Sequence, residues 1–341
     1  MGLFGPSEIT GIDIGAGAIK VVRIADGKHP KLLSAAVVEL PLEDVTPDLI
    51  SRELRALLSA KKIGKNTVVT QVPGKDLTIR SLTMPAMPHS ELAEAIRWEA
   101  KRHVSFPLDA ALVEYLVTGE KKEGMSSKYD ILLVAAEKAV VEGHLVPFRD
   151  AGIKVSVVDA NPLALRNALR LRKTPEDQNT LLVDIGAGKT EINIFNKYVL
   201  RFSRCLETGG LDMTRAIADQ MGVSLPEAES LKQKQGLSSA SESDATGTVL
   251  RGKLDALLME IRRSVEYYKT TFREKSVEGT IITGGVSLMP GIREYFYQAL
   301  ESPVELDNPF QNLPTAPGVF DEFGSLGPRF STAVGLALRK G

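Results

Sequence analysis

The chain has 341 residues, enough for two domains, and its 43% apolar and 25% charged residues are typical of a soluble globular protein. A formal net charge of −1 argues against general binding to nucleic acid or to an anionic membrane, and the single cysteine excludes an internal disulfide framework. The N-terminus lacks the layout of a signal peptide, and no apolar run approaches the roughly 20 residues of a spanning helix.

The first predicted element is a glycine-rich hairpin. Residues 11–20 (GIDIGAGAIK) join two short apolar runs, a pattern that predicts strand, turn and strand, and the form recurs in residues 182–191 (LVDIGAGKTE). Gly188-Lys189-Thr190 matches the last three residues of a Walker A loop, but Val183 occupies the position of the first glycine of that motif. A Rossmann loop should lead into a helix, whereas each of these segments leads into a predicted strand. The repeat therefore predicts two related hairpins and excludes both familiar nucleotide-binding loops.

Strands and helices alternate between the two copies. Apolar spacing predicts a helix that ends near residue 60 and a strand at residues 67–72. After these we expect, in order, a strand at 77–84, a helix at 90–104, strands at 112–118 and 130–136, a helix at 137–151 and a strand at 154–158. This β-α-β-β-α-β stretch predicts a small inserted subdomain.

The second half contains fewer strands after its hairpin. A helical region follows Gly209-Gly210, residues 236–247 are predicted to form a mobile loop, and a long helix at about 249–272 precedes a strand at 280–283. We predict an α/β fold of two halves, residues 1–175 and 176–327. The predicted subdivisions are a first core at about 1–80 and 158–175, an inserted subdomain at about 81–157, a second core at 176–206 and 275–327, a second subdomain at about 207–274, and a C-terminal helix at 328–341 that returns to the first half.

The two hairpins carry residues suited to a metal-bound phosphate. Glycine lets backbone N–H groups approach an anion closely. Asp13 and Asp184 would repel phosphate directly, but two facing carboxylates suit Mg²⁺ held through water. Lys20 would place a positive charge on the β- or γ-phosphate. One such hairpin is most simply a tight turn, whereas two copies with matched aspartates favour phosphate binding.

A third glycine-rich segment, residues 281–292 (IITGGVSLMPGI), follows another apolar strand. Its Gly284-Gly285 turn would allow a flat ring to lie against the backbone, and Pro290-Gly291 begins the next helix. By itself it is a loop. After two phosphate hairpins it is the natural adenosine site.

These motifs, in this order, resemble those of the actin-like ATPase superfamily, with its ribonuclease H-like fold and nucleotide cleft. Residues 157–165 (VVDANPLAL) and 328–338 (PRFSTAVGLAL) look like its two connecting segments, and Glu229 and Lys232 are similar to the pair that brackets the ribose. The resemblance implies ATP and Mg²⁺ as ligands. It also implies nucleotide contacts at Asp13, Gly15, Ala16, Gly17, Ala18, Lys20, Gly186, Ala187, Gly188, Lys189, Thr190, Gly209, Gly210, Glu229, Lys232, Gly284, Gly285 and Leu288.

Within that superfamily the chain resembles the PilM family of type IV pilus assembly, from about residue 10 to residue 338. The specific segments are residues 80–88 (RSLTMPAMP) and 95–107 (AIRWEAKRHVSFP). The related FtsA family of cell division usually ends in an amphipathic membrane helix, for which we find no pattern here.

The PilM resemblance implies a cytoplasmic adaptor that binds the N-terminal peptide of the membrane protein PilN. Through PilN it would reach the PilN/PilO platform at the inner membrane. The resemblance also suggests pilus motor ATPases as further partners and twitching motility as the process. It implies neither nucleic-acid binding nor direct membrane insertion. The family docks the peptide between the inserted subdomain and the first core, where we place Pro85, Phe106 and Pro107. Simple packing is the alternative for these residues, and also for Trp98, whose helix has a core stripe.

Hydrolysis of ATP needs a group that positions the attacking water. Heat-shock ATPases use a Glu before the proline of the first connecting segment, and Asn161 takes that place here. Asn161 can orient water but cannot accept its proton, so Asp184 is the other candidate catalytic residue. We expect slow hydrolysis at most, with ATP mainly fixing the angle between the halves.

Two other functions remain open from the sequence. An FtsA- or MreB-like filament that polymerises with ATP is one, because filament contacts leave no short motif and self-association therefore stays open. A small-molecule kinase is the other. It would need a second pocket with a catalytic Asp beside the γ-phosphate, and we find no clear candidate for it. Fold alone does not decide among these activities.

Overall fold

The computed structural model describes residues 7–60, 63, 67–123, 126–172, 178–237, 245–274 and 276–340. Within these ranges the strands are β1 (Glu8–Ile14), β2 (Ala18–Ala25), β3 (Lys31–Glu39), β4 (Thr67–Val72), β5 (Leu77–Pro85), β6 (Ala111–Glu123), β7 (Ser126–Glu137), β8 (Val157–Ala160), β9 (Asn179–Ile185), β10 (Thr190–Asn196), β11 (Val199–Leu206), β12 (Gly279–Thr283) and β13 (Val304–Leu306).

The α-helices of the same ranges lie between these strands. They are α1 (Pro47–Ser59), α2 (His89–Ala100), α3 (Lys138–Asp150), α4 (Asn161–Leu169), α5 (Gly210–Met221), α6 (Leu225–Gln235), α7 (Ala245–Phe272), α8 (Ile292–Leu300), α9 (Val319–Phe323) and α10 (Ser331–Ala337). Short 3-10 segments include Gly74–Asp76, Gly285–Leu288 and Gly324–Phe330.

Two five-stranded sheets repeat one topology. The first sheet has the order β3-β2-β1-β4-β8 and the second sheet the order β11-β10-β9-β12-β13. In each, three antiparallel strands continue into two parallel ones. The predicted glycine-rich hairpins are β1–β2 and β9–β10, at equivalent places in the two sheets. The sequence repeat is therefore a repeat of structure.

Each sheet is covered by helices whose apolar faces match it. In the first sheet, Ile12 and Ile19 pack against Leu54 of α1 and Phe148 of α3. Helix α1 begins at Thr46, whose hydroxyl accepts a hydrogen bond from the Leu49 N–H at 3.2 Å, an ordinary N-cap. The second sheet packs one face on α5 and on the long helix α7.

An inserted layer, made of β5, α2, β6 and β7, leaves the first sheet after β4. Its strands pair in the order β5-β7-β6, and α2 covers one face by packing Leu92, Ile96 and Ala100 on Ile131 and Leu133. The predicted β-α-β-β-α-β order of elements is present. Its last two members belong elsewhere, because α3 packs on α1 and β8 pairs with β4.

The other face of the inserted layer meets both halves. Ile79 and Leu132 of this layer share one core with Leu165 of α4 and with Phe195 and Leu200 of the second sheet. At its edge, the Ser81 hydroxyl donates to the Arg201 carbonyl of β11 at 2.9 Å. The layer therefore bridges the two halves instead of standing apart from them.

Helix α10 closes the first half from behind. Its backbone passes so close to β1 and α4 that a Cβ on Gly11 would lie 2.1 Å from the Ala333 carbonyl oxygen. A Cβ on Gly335 would lie 1.8 Å from the Ala164 carbonyl oxygen, so only glycine fits at either place. The predicted boundary at 175/176 and most of the predicted loop at 236–247 lie outside the described residues, and the division into domains stays a prediction.

Candidate functional site

A cleft of about 1200 Å³ separates the two sheets. The tips of both glycine-rich hairpins, the third glycine-rich loop, α6 and the beginning of α4 line it. Of the predicted catalytic and nucleotide-binding residues, all except Thr190 and Gly209 line this cleft. Thr190 is fully buried and donates its hydroxyl to the Thr208 carbonyl at 2.8 Å, so its side chain braces the second hairpin from inside. A Cβ on Gly209 would lie 2.5 Å from the Ala187 carbonyl oxygen.

The hairpin tips face each other across a short gap. A Cβ on Gly17 would lie 2.9 Å from the Ala187 Cβ, and a Cβ on Gly188 would lie 2.9 Å from the Ala16 Cβ. Neither glycine has a positive φ angle, so the turn itself does not require glycine. Glycine is needed at these two positions because a side chain would prevent the close approach of the two tips. Both tips bring backbone N–H groups to one place, as a polyphosphate site needs.

Asp13 lies at the end of β1, and two side-chain donors contact its carboxylate. Lys20, its cross-strand neighbour on β2, donates from Nζ to Oδ2 at 2.7 Å. Gln71 of β4 donates from Nε2 to Oδ1 at 3.2 Å. Lys20 and Gln71 also line the cleft. Asp13 is thus an oriented carboxylate whose charge is balanced by Lys20.

Asp184, its counterpart on β9, has a different environment. Its cross-strand neighbour on β10 is Glu191, and no donor among the described residues contacts its carboxylate. Burial and the Glu191 charge raise the pKa of Asp184 to about 7. Lys189 and Lys20 oppose that shift without cancelling it. A carboxylate with surplus negative charge around it and free oxygens fits a divalent cation.

Glu191 joins the second hairpin to the first half. It is 1% exposed, and its Oε1 accepts from Lys189 Nζ at 2.9 Å and from the Gly74 N–H at 3.0 Å. Burial by itself would lower the pKa of Lys189. The charge of the Glu191 carboxylate outweighs this effect and raises the pKa of Lys189 above its usual value. Gly74 begins the turn that leads into β5 of the inserted layer. A lysine of the cleft is therefore two hydrogen bonds away from the inserted layer.

The Glu229–Lys232 pair of α6 is a buried network and not a solvated ion pair. Lys232 is 6% exposed and donates to Glu229 at 2.7 Å, to the Thr214 hydroxyl at 2.8 Å and to the Gly210 carbonyl at 3.0 Å. Burial would raise the pKa of Glu229, but the Lys232 charge holds it below its usual value. The network ties α6 to the start of α5 along the wall of the cleft.

The third glycine-rich loop closes the cleft on the side of the second sheet. Gly284 has a φ of 87°, which favours glycine, and its N–H donates to the Pro328 carbonyl at 3.0 Å. Asn161 begins α4 and accepts a hydrogen bond from the Thr332 hydroxyl at 3.0 Å. Asp159, two residues earlier, does not line the cleft, because it is buried against Arg339 at 2.8 Å.

The residues proposed for a peptide groove lie on the inserted layer and next to it. Pro85 and Pro107 are exposed and Phe106 is half-buried, and none of the three lines the cleft. Trp98 is 62% exposed on α2, so the core stripe of that helix does not bury it. Their role at a peptide groove stays a prediction.

Several residues at the cleft were not predicted from the sequence. Gln71 and Arg329 line it, and Glu191 and Thr214 hold Lys189 and Lys232 of its walls. Of these four, Glu191 alone belongs to a glycine-rich segment. For Gln71 and Glu191 the available signal was a long polar side chain in a strand that also carries several apolar residues. Among the described residues there is no group of three or more His, Cys, Asp or Glu side chains arranged to hold a metal. Binding of Mg²⁺ through water by Asp13 and Asp184 stays a prediction.

The family comparison decides among the superfamily's members. Residues 11–341 match the model of the family described as type IV pilus assembly protein PilM. The chain belongs to the PilM family. A chain of the PilM-PilN type IV pilus biogenesis complex is similar to it at 29% identity and a TM-score of 0.84, with 98% of each chain covered. The resemblance predicted from the sequence is confirmed.

More distant similarities confirm the actin-like fold of this PilM-family chain. They include the ethanolamine utilization protein EutJ from Carboxydothermus hydrogenoformans, with 16% identity over 99% of this chain and 91% of the other and a TM-score of 0.59. MreB5 of Spiroplasma citri, solved bound to AMPPNP, is 13% identical over 96% and 94% of the two chains, with a TM-score of 0.53.

The curated relatives are cell division proteins. FtsA of Neisseria meningitidis serogroup B is 25% identical over 67% of this chain and 60% of its own length, and FtsA of Bacillus subtilis is 24% identical over 70% and 58%. The chain thus spans about three fifths of the length of these relatives. In the described ranges, no helix combines the length and the apolar character needed to cross a membrane.

Proposed function

We propose that this PilM-family chain binds Mg-ATP in the cleft and acts as an adaptor in type IV pilus assembly. Its partner would be the cytoplasmic N-terminal peptide of a PilN-type membrane protein, which would hold the chain at the inner membrane. The match of 98% of this chain to a chain of the PilM-PilN complex carries the proposal, because the inserted layer is included in that match.

Several observations support Mg-ATP as the ligand. The facing hairpin tips offer backbone N–H groups, and Lys20 and Lys189 place two ammonium groups beside them. Asp13 and Asp184 line the same cleft, and a Mg²⁺ ion bound beside them would neutralise charge on the phosphates. The Glu229–Lys232 network and the Gly284 loop form the remaining walls, where a ribose and a flat base would fit.

We expect at most slow hydrolysis. Asn161 accepts a hydrogen bond from the Thr332 hydroxyl. Its side-chain amide cannot take up a proton at neutral pH, so Asn161 can orient a water molecule without deprotonating it. In this proposal the nucleotide fixes the angle between the halves. The inserted layer, which shares a core with both halves, would carry that angle to a bound peptide.

The test is a calorimetric titration of a synthetic PilN-type N-terminal peptide onto the purified chain, with and without Mg-ATP. A scrambled peptide of the same composition is the control. Saturable binding that changes with Mg-ATP would support the adaptor and its coupling to the cleft. Absence of binding in both conditions would contradict the adaptor role, and ATP-dependent sedimentation would then point to a filament.

A further inference from the structure

Gln71 is a long polar residue in β4, a strand that is buried throughout after its first residue, Thr67. It is 6% exposed and precedes Val72, the last residue of β4. Its side chain lines the cleft on one side. On the other it lines a small cavity of about 160 Å³ between α1 and α3. No motif of the cleft includes it.

The amide of Gln71 has one fixed orientation. An ionised carboxylate only accepts hydrogen bonds, so the atom that lies 3.2 Å from Asp13 Oδ1 must be the amide nitrogen. The amide oxygen is then turned away from Asp13. It is buried and has no hydrogen-bond partner in the part of the chain that the structure describes. A buried acceptor without a partner calls for an unseen donor such as a water molecule.

The second donor to Asp13 is also the group that a phosphate would attract. Lys20 Nζ lies 2.7 Å from Asp13 Oδ2, beside the hairpin tip that faces the cleft. When the ammonium turns toward a phosphate, the Asp13 carboxylate keeps only the Gln71 amide as a side-chain donor. Asp13 is 7% exposed, so a carboxylate left without a donor there would be costly and poorly oriented.

We propose that Gln71 is a positioning residue for the divalent cation that accompanies the nucleotide. Its amide nitrogen holds the Asp13 carboxylate in place when Lys20 turns to phosphate, and its amide oxygen accepts a hydrogen bond from a water molecule of the cation's hydration shell. This inference rests on the proposed binding of Mg-ATP. It predicts a contribution to affinity that exists only when Mg²⁺ is present.

The experiment compares the affinity for ATP in Mg²⁺ with that in excess EDTA, for the wild type and Gln71→Met. The methionine keeps the length of the side chain and removes both polar atoms. We expect Mg-ATP affinity to fall about tenfold, as for the loss of a hydrogen bond to a charged group, with ATP affinity in EDTA nearly unchanged. Equal losses in both conditions would show a merely structural role and overturn the proposal.

Two further variants keep the test decisive. Thr70→Val removes a buried hydroxyl from the same strand, where it donates to the Ile12 carbonyl at 2.9 Å, and should leave the Mg²⁺ dependence as in the wild type. Gln71→Glu keeps the shape but cannot donate to Asp13, and should also lose Mg²⁺-dependent affinity. A Gln71→Glu variant that binds Mg-ATP like the wild type would overturn the proposal even if Gln71→Met fails to fold. Failure of the wild type itself to bind Mg-ATP would instead contradict the proposed function.

Discussion

The two aspartates of the cleft occupy equivalent positions and have opposite neighbours. In the first hairpin the register places Lys20 opposite Asp13, and in the second it places Glu191 opposite Asp184. The first carboxylate therefore has its charge balanced within the hairpin. The second has a like charge beside it, and it gains most from a cation. A symmetric pair in the sequence has become an asymmetric pair in the structure.

This asymmetry predicts a pH dependence of Mg-ATP affinity. With a pKa of about 7, only about a tenth of the Asp184 side chains are ionised at about pH 6, and nearly all are ionised at about pH 8. Because Mg²⁺ favours the ionised carboxylate, affinity for Mg-ATP should rise about tenfold between these pH values. Calorimetric titration at each pH measures the effect.

Asp184→Asn is the control for the pH series, since the amide does not titrate, and its Mg-ATP affinity should be weaker and flat over this range. An equal slope in the variant would assign the titration to another group. The nucleotide-free protein should respond in the opposite sense. The folded chain retains a proton that the unfolded chain releases between about pH 4 and about pH 7, so its stability should fall as the pH rises across that interval.

At the scale of the elements, polar contacts in the described part of the chain connect the inserted layer to the second sheet. The Ser81 hydroxyl bonds to the Arg201 carbonyl at 2.9 Å, and Arg201 Nη1 lies 3.8 Å from the Asp130 carboxylate of β7. Together with the Gly74–Glu191 hydrogen bond, they form a path from the cleft to the layer. Motion of the second half should therefore move the layer.

Ser81→Ala tests this path. The variant should unfold at nearly the wild-type temperature, because one hydrogen bond contributes only about 1 kcal/mol to stability. We expect a smaller change in peptide affinity on adding Mg-ATP, since β5 loses its side-chain hydrogen bond to β11. Thr118→Val is the matched control, because its hydroxyl bonds to the Asp130 carbonyl at 3.1 Å within the layer. Full coupling in Ser81→Ala would exclude this contact from the path.

Local patterns predicted the two hairpins and the order of the elements in the inserted layer, because each depends on a few consecutive residues. They did not predict strands β3, β11 and β13, and the strand expected at 154–158 is observed as β8 at Val157–Ala160. The grouping of α3 and β8 with the first sheet was not predictable in the same way, since it depends on pairing of β8 with β4. The contact of Glu191 with Gly74 joins residues that are 117 positions apart, and Trp98 is exposed on a helix whose periodicity also offered burial. Which side chains meet at the cleft depends on the pairing register of the strands, and no single segment of the sequence determines that register.

At the scale of the molecule, one hydrophobic core contains side chains from the first half, the inserted layer and the second sheet. Leu165 of α4 is fully buried between the inserted layer and the second sheet. A core that contains side chains from both halves and from the inserted layer should make their unfolding cooperative. The molecule is then expected to melt as a unit, although its topology is that of two repeated halves.

Leu165→Ala should reveal this cooperativity. Removing a fully buried leucine side chain costs about 2–5 kcal/mol, and we expect the whole calorimetric transition to shift to lower temperature without splitting. Leu92→Ala is the comparison, because Leu92 is equally buried but lies in the core between α2 and its own sheet. Because the inserted layer is expected to unfold together with both halves, that variant should also shift the single transition without splitting it. Separate melting of the two halves in Leu165→Ala would contradict a shared core.

The position of α10 has a consequence for synthesis of the chain. This helix packs on β1 and α4, so the first half lacks one wall of its core until residues 331–337 have left the ribosome. The second sheet and its helices end at β13, which is made earlier. We expect the half that is encoded second to reach its native state first, while the earlier half waits for its last helix. A nascent chain arrested after β13 should therefore resist protease in its second half and be cleaved in its first.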